Sequence, residues 1–172
     1  MLYVDIKKPT VFLFTDASVD PKTKIGYGAY LLLGEFELDA PLDKLDIKLK
    51  RFENTTSSRT ELETFLWAFS NIRHKNLKVI AYTDSQNIIT LKSRENKIKK
   101  NGYMTKRGTL IKHHELYKRF FKLTDICECD IIKVKGHKKS EDKDRVDRYF
   151  TLVDKASREA LRDELPEKQG DI

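Results

Sequence analysis

The sequence predicts an α/β domain: a five-stranded mixed sheet, three strands antiparallel and then two parallel, flanked by helices. Three observations predict it. Short β-branched and aromatic runs separated by turn residues occupy the first third. After Ser57-Ser58 the apolar spacing switches to a helical period. From Leu77 onward strand-like and helix-like segments alternate. The 172 residues fit a single domain, 1–172, with its core over about 10–163 and a frayed tail at 166–172.

Val11 to Phe14 reads as a strand that halts at Thr15-Asp16-Ala17-Ser18. A second strand covers Ile25 to Leu33, its Gly26-Tyr27-Gly28 start suiting a bulge or a close backbone approach, and a third lies near Asp46 to Phe52, completing a meander. Leu62, Phe65, Leu66, Phe69 and Ile72 form one stripe of a helix from about Ser58 to Arg73. Leu77 to Thr83 is a buried-looking strand ending at Asp84, followed directly by a short helix from Ser85 to about Ser93. Gly108 to Lys122 reads as a helix, Asp130 to Lys135 as a strand closed by Gly136-His137, and Lys143 to about Leu165 as the last helix.

Composition narrows the function classes. Apolar residues make up 39% of the chain, too many for a disordered one, yet no run approaches the ~20 residues of a membrane span. The N-terminus lacks the apolar core of a secretory signal, so an intracellular, cytoplasmic protein is expected. Cys127 and Cys129 fall on one face of a strand and read as reduced packing residues, since a lone Cys-x-Cys falls short of a zinc site. The net charge of +7 is concentrated: residues 92–122 carry +9, and the rest of the chain carries −2. The centre of that segment, Lys97 to Gly108, reads as a loop with an embedded aromatic, Tyr103, and suits a phosphate backbone better than a merely solvated surface.

Asp16 and Asp84 each close an apolar strand, and if those strands are parallel neighbours both carboxylates meet at one rim of the sheet, where such sheets place chemistry. Each has a plainer reading. Asp84 could cap the helix that begins at Ser85, Asp16 could hold a turn, and Glu61 could close a capping box with Ser58.

Taken together and in this order, Thr15-Asp16-Ala17-Ser18, Thr55 to Glu61, Tyr82-Thr83-Asp84-Ser85-Gln86 and Val134-Lys135-Gly136-His137 resemble type-1 ribonuclease H over about residues 10–163. The resemblance implies the ribonuclease H-like fold and an endonuclease that cuts the RNA strand of RNA/DNA hybrids by a two-metal mechanism, leaving a 5′-phosphate and a 3′-hydroxyl. It implies two Mg²⁺ ions, with Mn²⁺ as a substitute. Asp16 would bridge the ions, Glu61 and Asp84 would hold the leaving-group side, and a fourth aspartate on the last helix would hold the nucleophile side.

Spacing from the Gly-His histidine selects Asp147 for that fourth ligand, whereas the neighbourhood Val153 to Ala160 selects Asp154. The two stand roughly 10 Å apart along a helix, so only one reaches the metals. Asp154 is preferred because Ala156, Ser157 and Ala160 let the helix approach the sheet, while Tyr149 and Phe150 follow Asp147; for Asp147 a solvated face or an ion pair is expected.

By the same resemblance His137 would shuttle protons, a task suited to an imidazole; its plain alternative is a turn residue. His74, His113 and His114 read as surface residues. Ser18, Ser57 and Gln86 would read the RNA side, where only RNA offers a 2′-hydroxyl; many relatives carry Asn where Ser57 stands. Thr56 and Arg59 would sit near a DNA-strand phosphate, and Lys99, Lys100, Tyr103 and Lys106 would grip the DNA backbone. Two rival readings are a nuclease or recombinase acting on DNA and a catalytically silent nucleic-acid-binding domain. The expected partner is an RNA/DNA hybrid, with neither membrane nor obligate protein partner, and the chain is expected to act as a monomer.

Overall fold

The computed structural model describes residues 8–73, 76–135 and 144–165. Its sheet has the order β3-β2-β1-β4-β5, built from β1 (Thr10–Asp20), β2 (Ile25–Gly34), β3 (Lys48–Phe52), β4 (Lys78–Thr83) and β5 (Glu128–Lys133). The first three strands are antiparallel, and β4 and β5 run parallel to β1. Two 3-10 turns, Glu35–Glu37 and Leu42–Lys44, fill the connection from β2 to β3. The five-stranded mixed sheet matches the sequence expectation; several element ends do not.

Among the described residues the helices are α1 (Ser57–Ser70), α2 (Gln86–Ser93), α3 (Glu95–Lys100), α4 (His114–Thr124) and α5 (Arg145–Glu164), with α1 and α5 lying on the sheet. Central β1 is apolar on both faces because both are covered. Leu13 faces a cluster with Leu62, Phe65 and Leu66 of α1 and Phe120 and Phe121 of α4. Phe14 faces the opposite cluster, where Tyr149, Phe150 and Val153 of α5 pack on Ala29, Leu31 and Leu33. Each fully buried Leu or Phe contributes about 1.5–3 kcal/mol, so the α1 stripe alone anchors that helix.

One contact fixes how closely α1 lies on the sheet. A Cβ on Gly28 would stand 1.9 Å from Thr64 Oγ1, so glycine is required there. At the far end of the sheet, Glu164 of α5 accepts from Tyr27 at 2.5 Å and from Arg51 Nε at 2.8 Å, tying the helix to β2 and β3. Among the described residues no helix is long and apolar enough to cross a membrane.

The largest departures from expectation have physical causes. β1 continues past Asp16 to Asp20 because β2 pairs with it throughout, from Val11↔Gly34 to Asp20↔Ile25. Lys97, Lys99 and Lys100 lie on α3 rather than in a loop: Arg94 ends α2 and begins the next helix, with Glu95 and Ile98 buried. The true turn runs from 101 to 113, closed by an isolated bridge between Met104 and Leu110 and by positive φ at Gly102 and Tyr103, so α4 starts at His114 and not Gly108. Cys127 and Cys129 are free thiols packed against the α1 cluster, and burial pushes Cys129 up to about 12.

Candidate active site

The parallel register Phe14↔Tyr82 is the last pair between β1 and β4. Asp16 and Asp84 each lie two residues beyond it, so the carboxylates sit opposite one another where the strands part. Asp16 is thus not a strand-terminal residue, as expected from the sequence, but the point at which β1 leaves β4 while still pairing Ala29 of β2. Period-2 alternation puts Asp16 and Ser18 on the face of Phe14, toward α5.

On that helix, Asp154 lies near enough for its negative charge to act on the Asp16 carboxyl. Fully buried Ser157 donates to Asp16 Oδ2 at 3.3 Å, and its hydroxyl lies 3.0 Å from Ser18 Oγ. Burial, reinforced by the negative charges of Asp84 and Asp154, pushes the Asp16 carboxyl from its ordinary 3.8 up to about 8. Asp154 also pairs with Arg158 one turn further on.

Glu61 is held from two sides. Ser57 Oγ donates to its Oε1 at 3.0 Å, and Ser85 Oγ donates to its Oε2 at 2.6 Å. Because Ser85 follows Asp84 directly, this bond brings Glu61 to the edge of the aspartate cluster. The capping-box reading of Ser58 and Glu61 does not hold, since Thr56 is the N-cap of α1 and Glu61 lies beyond the first turn. Asp84 is not a helix cap either; Ser85 takes that position for α2.

Asp147 lies elsewhere. It is buried, and its Oδ2 accepts from Asp144 N at 3.1 Å while Asp144 Oδ1 accepts from Asp147 N at 2.8 Å, a reciprocal cap on α5. Asp147 is therefore not on a solvated face of the helix. The bulky Tyr149 and Phe150 do not keep the helix off the sheet either, for they are part of its core contact, with Ser157 rather than Ala160 as the buried small residue. His137 falls outside the described residues, as does His74. His113 is not a plain surface residue: its Nε2 is buried, and burial, with Lys112 and Arg59 nearby, lowers its pKa.

The expected nucleic-acid contacts divide into two groups. Ser18, Ser57 and Gln86 flank the carboxylates, on β1, α1 and α2. Thr56 caps α1 with its side chain exposed, and Arg59 bonds Glu63 at 3.3 Å. Lys99, Lys100, Tyr103 and Lys106 lie on α3 and the turn after it, where Lys99 pairs with Glu95 and Lys118 lies 5.4 Å over the Tyr103 ring. Lys100 and Lys106 are exposed. The sequence marked Ser157 only as a small residue and Ser85 only as a helix start; their bonds to Asp16 and Glu61 leave no local signal, because the partners lie 141 and 24 residues away.

The candidate residues Asp16, Glu61, Asp84 and Asp154 all offer carboxylate oxygens, the donor type that suits a hard divalent cation. A partly buried carboxylate crowded by two like charges is the deficit that such a cation relieves. Among the described residues no three acidic, histidine or cysteine side chains stand close enough to enclose an ion by themselves. Mg²⁺ does not need that, since it keeps waters and substrate oxygens in its shell.

Comparison with known proteins gives the chain its relatives. The family model described as RNase H matches residues 8–157. The chain is 31% identical over 129 residues to the ribonuclease H of Acetivibrio thermocellus, covering 73% of this chain and 81% of that protein. It is 29% identical over 157 residues to the ribonuclease H of Clostridium botulinum, covering 88% and 95%. Among solved structures, LC9-RNase H1, described as a type 1 RNase H with the type 2 active-site motif, superposes with a TM-score of 0.69 at 20% identity, over 95% of this chain and 77% of that one. A foamy viral protease-reverse transcriptase in complex with RNA/DNA hybrid superposes with a TM-score of 0.63 at 12% identity, over 88% of this chain and 19% of that one.

Proposed function

The chain belongs to the RNase H family and is a hydrolase of that family, and from this premise we propose that it cuts the RNA strand of RNA/DNA hybrids internally, leaving a 5′-phosphate and a 3′-hydroxyl. The observation that carries the reading is the partly buried Asp16 carboxylate, opposite Asp84 where β1 and β4 part and bonded by Ser157 of α5. Asp16, Glu61, Asp84 and Asp154 would hold two Mg²⁺ ions, with Mn²⁺ as a substitute. Bound there, the ions supply an activated water and charge neutralisation at the departing oxygen.

The protein's own groups do the rest. Ser57 and Ser85 fix Glu61 in one orientation, so little rearrangement is needed at the moment of reaction. Ser18, Ser57 and Gln86 lie beside the carboxylates, where the 2′-hydroxyls of an RNA strand would pass; an all-DNA duplex lacks those partners. Thr56, Arg59, Lys99, Lys100, Tyr103 and Lys106 follow the DNA strand, whose phosphates attract the +9 segment. His137, on the segment between β5 and α5, serves as the proton carrier.

The test uses one labelled RNA strand, alone, paired with RNA and paired with DNA, beside a DNA/DNA duplex, each with Mg²⁺ or EDTA. Cleavage of the RNA only in the hybrid, and only with metal, is expected. Retention of the hybrid without cleavage would point to a silent binding domain, and cleavage of DNA would overturn the substrate.

A further inference from the structure

At the mouth of the site, Lys133 Nζ donates to the Oε1 of Gln86 at 2.8 Å. The two residues come from different elements. Lys133 is the last residue of β5, in register with Thr83, and Gln86 opens α2 three residues after Thr83. Both are exposed.

The chemistry of this pair settles an orientation that a glutamine alone leaves open. An ammonium only donates, so the amide must turn its oxygen to Lys133 and its NH₂ away. We propose that Lys133 is a positioning residue that locks Gln86 as a hydrogen-bond donor toward the substrate, and thereby makes the enzyme indifferent to base sequence at that point. This rests on Gln86 facing the minor groove of a hybrid, as in the reading above.

The argument follows from what a minor groove displays. Every nucleotide presents an acceptor there, purine N3 or pyrimidine O2, and RNA adds the 2′-oxygen. A fixed NH₂ can bond any of them. The one donor on a base edge in that groove is the guanine amino group, so an amide free to turn its oxygen outward gains a guanine-specific contact. Recognition that is blind to sequence therefore needs the amide held one way round, and a cation behind its oxygen does that. A plain phosphate contact by Lys133 would have a different signature: it would act without Gln86, and its loss would flatten the salt dependence of binding.

The experiment compares wild type, Lys133→Met, Lys133→Arg, Gln86→Ala and the Gln86→Ala/Lys133→Met double variant. Each is tested on a pool of hybrids with random sequence around the cleavage point and on one fixed hybrid at several salt concentrations. Lys133→Met is expected to raise KM about three- to tenfold, the worth of one net hydrogen bond, with a smaller change in kcat. It should also enrich guanine at one position relative to the cut, and Lys133→Arg should restore the wild-type pattern. In the Gln86→Ala background Lys133→Met should change neither KM nor pattern. Equal effects in both backgrounds with a reduced salt slope, or an unchanged cleavage pattern in Lys133→Met, would overturn the proposal. A wild-type protein that leaves the hybrid uncut overturns the reading beneath it, and the proposal with it.

Discussion

Asp16 carries an energetic cost that can be measured without substrate. Its ordinary pKa is 3.8, and burial together with Asp84 and Asp154 raises it to about 8 in the folded chain. Below 3.8 the group is protonated in both states and costs nothing. Between 3.8 and 8 the unfolded chain has lost the proton while the folded one keeps it, so stability falls as pH rises. Metal-free protein is therefore expected to melt lower at pH 8 than at pH 5. Asp16→Asn should recover most of that loss, with a larger gain in melting temperature at pH 8 than at pH 5, as read by thermal denaturation in EDTA. For turnover the ranking is different. Asp84→Asn should reduce hydrolysis by at least about a hundredfold while leaving the melting temperature and hybrid binding nearly unchanged. Asp154→Asn should be similarly severe, whereas Asp147→Ala should cost about 1 kcal/mol of stability through the lost cap and leave kcat close to wild type. A reversed ranking of the two α5 aspartates would mean that the spacing from His137 identifies the fourth ligand after all.

Elements decide how much of this was readable beforehand. The β-branched runs and the Leu62-to-Phe69 stripe announce themselves because each is a local period imposed by a single buried face. Where β1 ends is not local. Asp16, Ala17 and Ser18 have little strand propensity, and only pairing with Ala29, Gly28 and Tyr27 keeps them extended. The break at Arg94 is equally hidden, because α2 and α3 share a run of good helix formers and differ only in what they bury. The three site aspartates were visible as chemistry, but the choice between Asp154 and Asp147 depended on which turn of α5 faces β1. The Gly26-Tyr27-Gly28 motif hinted at a close approach, and the structure supplies its partner in Thr64. Gly28→Ala should force α1 away from the sheet and destabilise the protein by about 1–3 kcal/mol in urea unfolding. Since α1 carries Glu61, hydrolysis should fall by more than the loss of folded protein accounts for.

On the scale of the whole molecule, the positive field belongs to α3, the turn after it and α4, while the carboxylates occupy the rim where β1 and β4 part. A duplex can then be held at one place and cut at another. Within the basic segment, Lys99 is engaged by Glu95 and Asp125, so its loss would mix folding with binding. Lys100 and Lys106 are the cleaner probes. Reversing both to Glu should weaken hybrid binding and flatten the slope of log affinity against log salt by about two, measured by fluorescence anisotropy across a salt series. An unchanged slope would mean that this face does not meet the duplex.

The order of the strands has one further consequence. A sheet that ends in β3 leaves a row of main-chain donors and acceptors along Lys48-Leu49-Lys50-Arg51-Phe52. Such a row is a template on which a foreign strand can grow, and the cationic side chains along it make two copies repel before they can zip together. The lysines of β3 lie far from the carboxylates in purpose, yet they guard the enzyme's shelf life. Acetylation, or exchange of Lys48 and Lys50 for valine, would leave catalysis intact in a fresh preparation and turn an old one into fibrous precipitate.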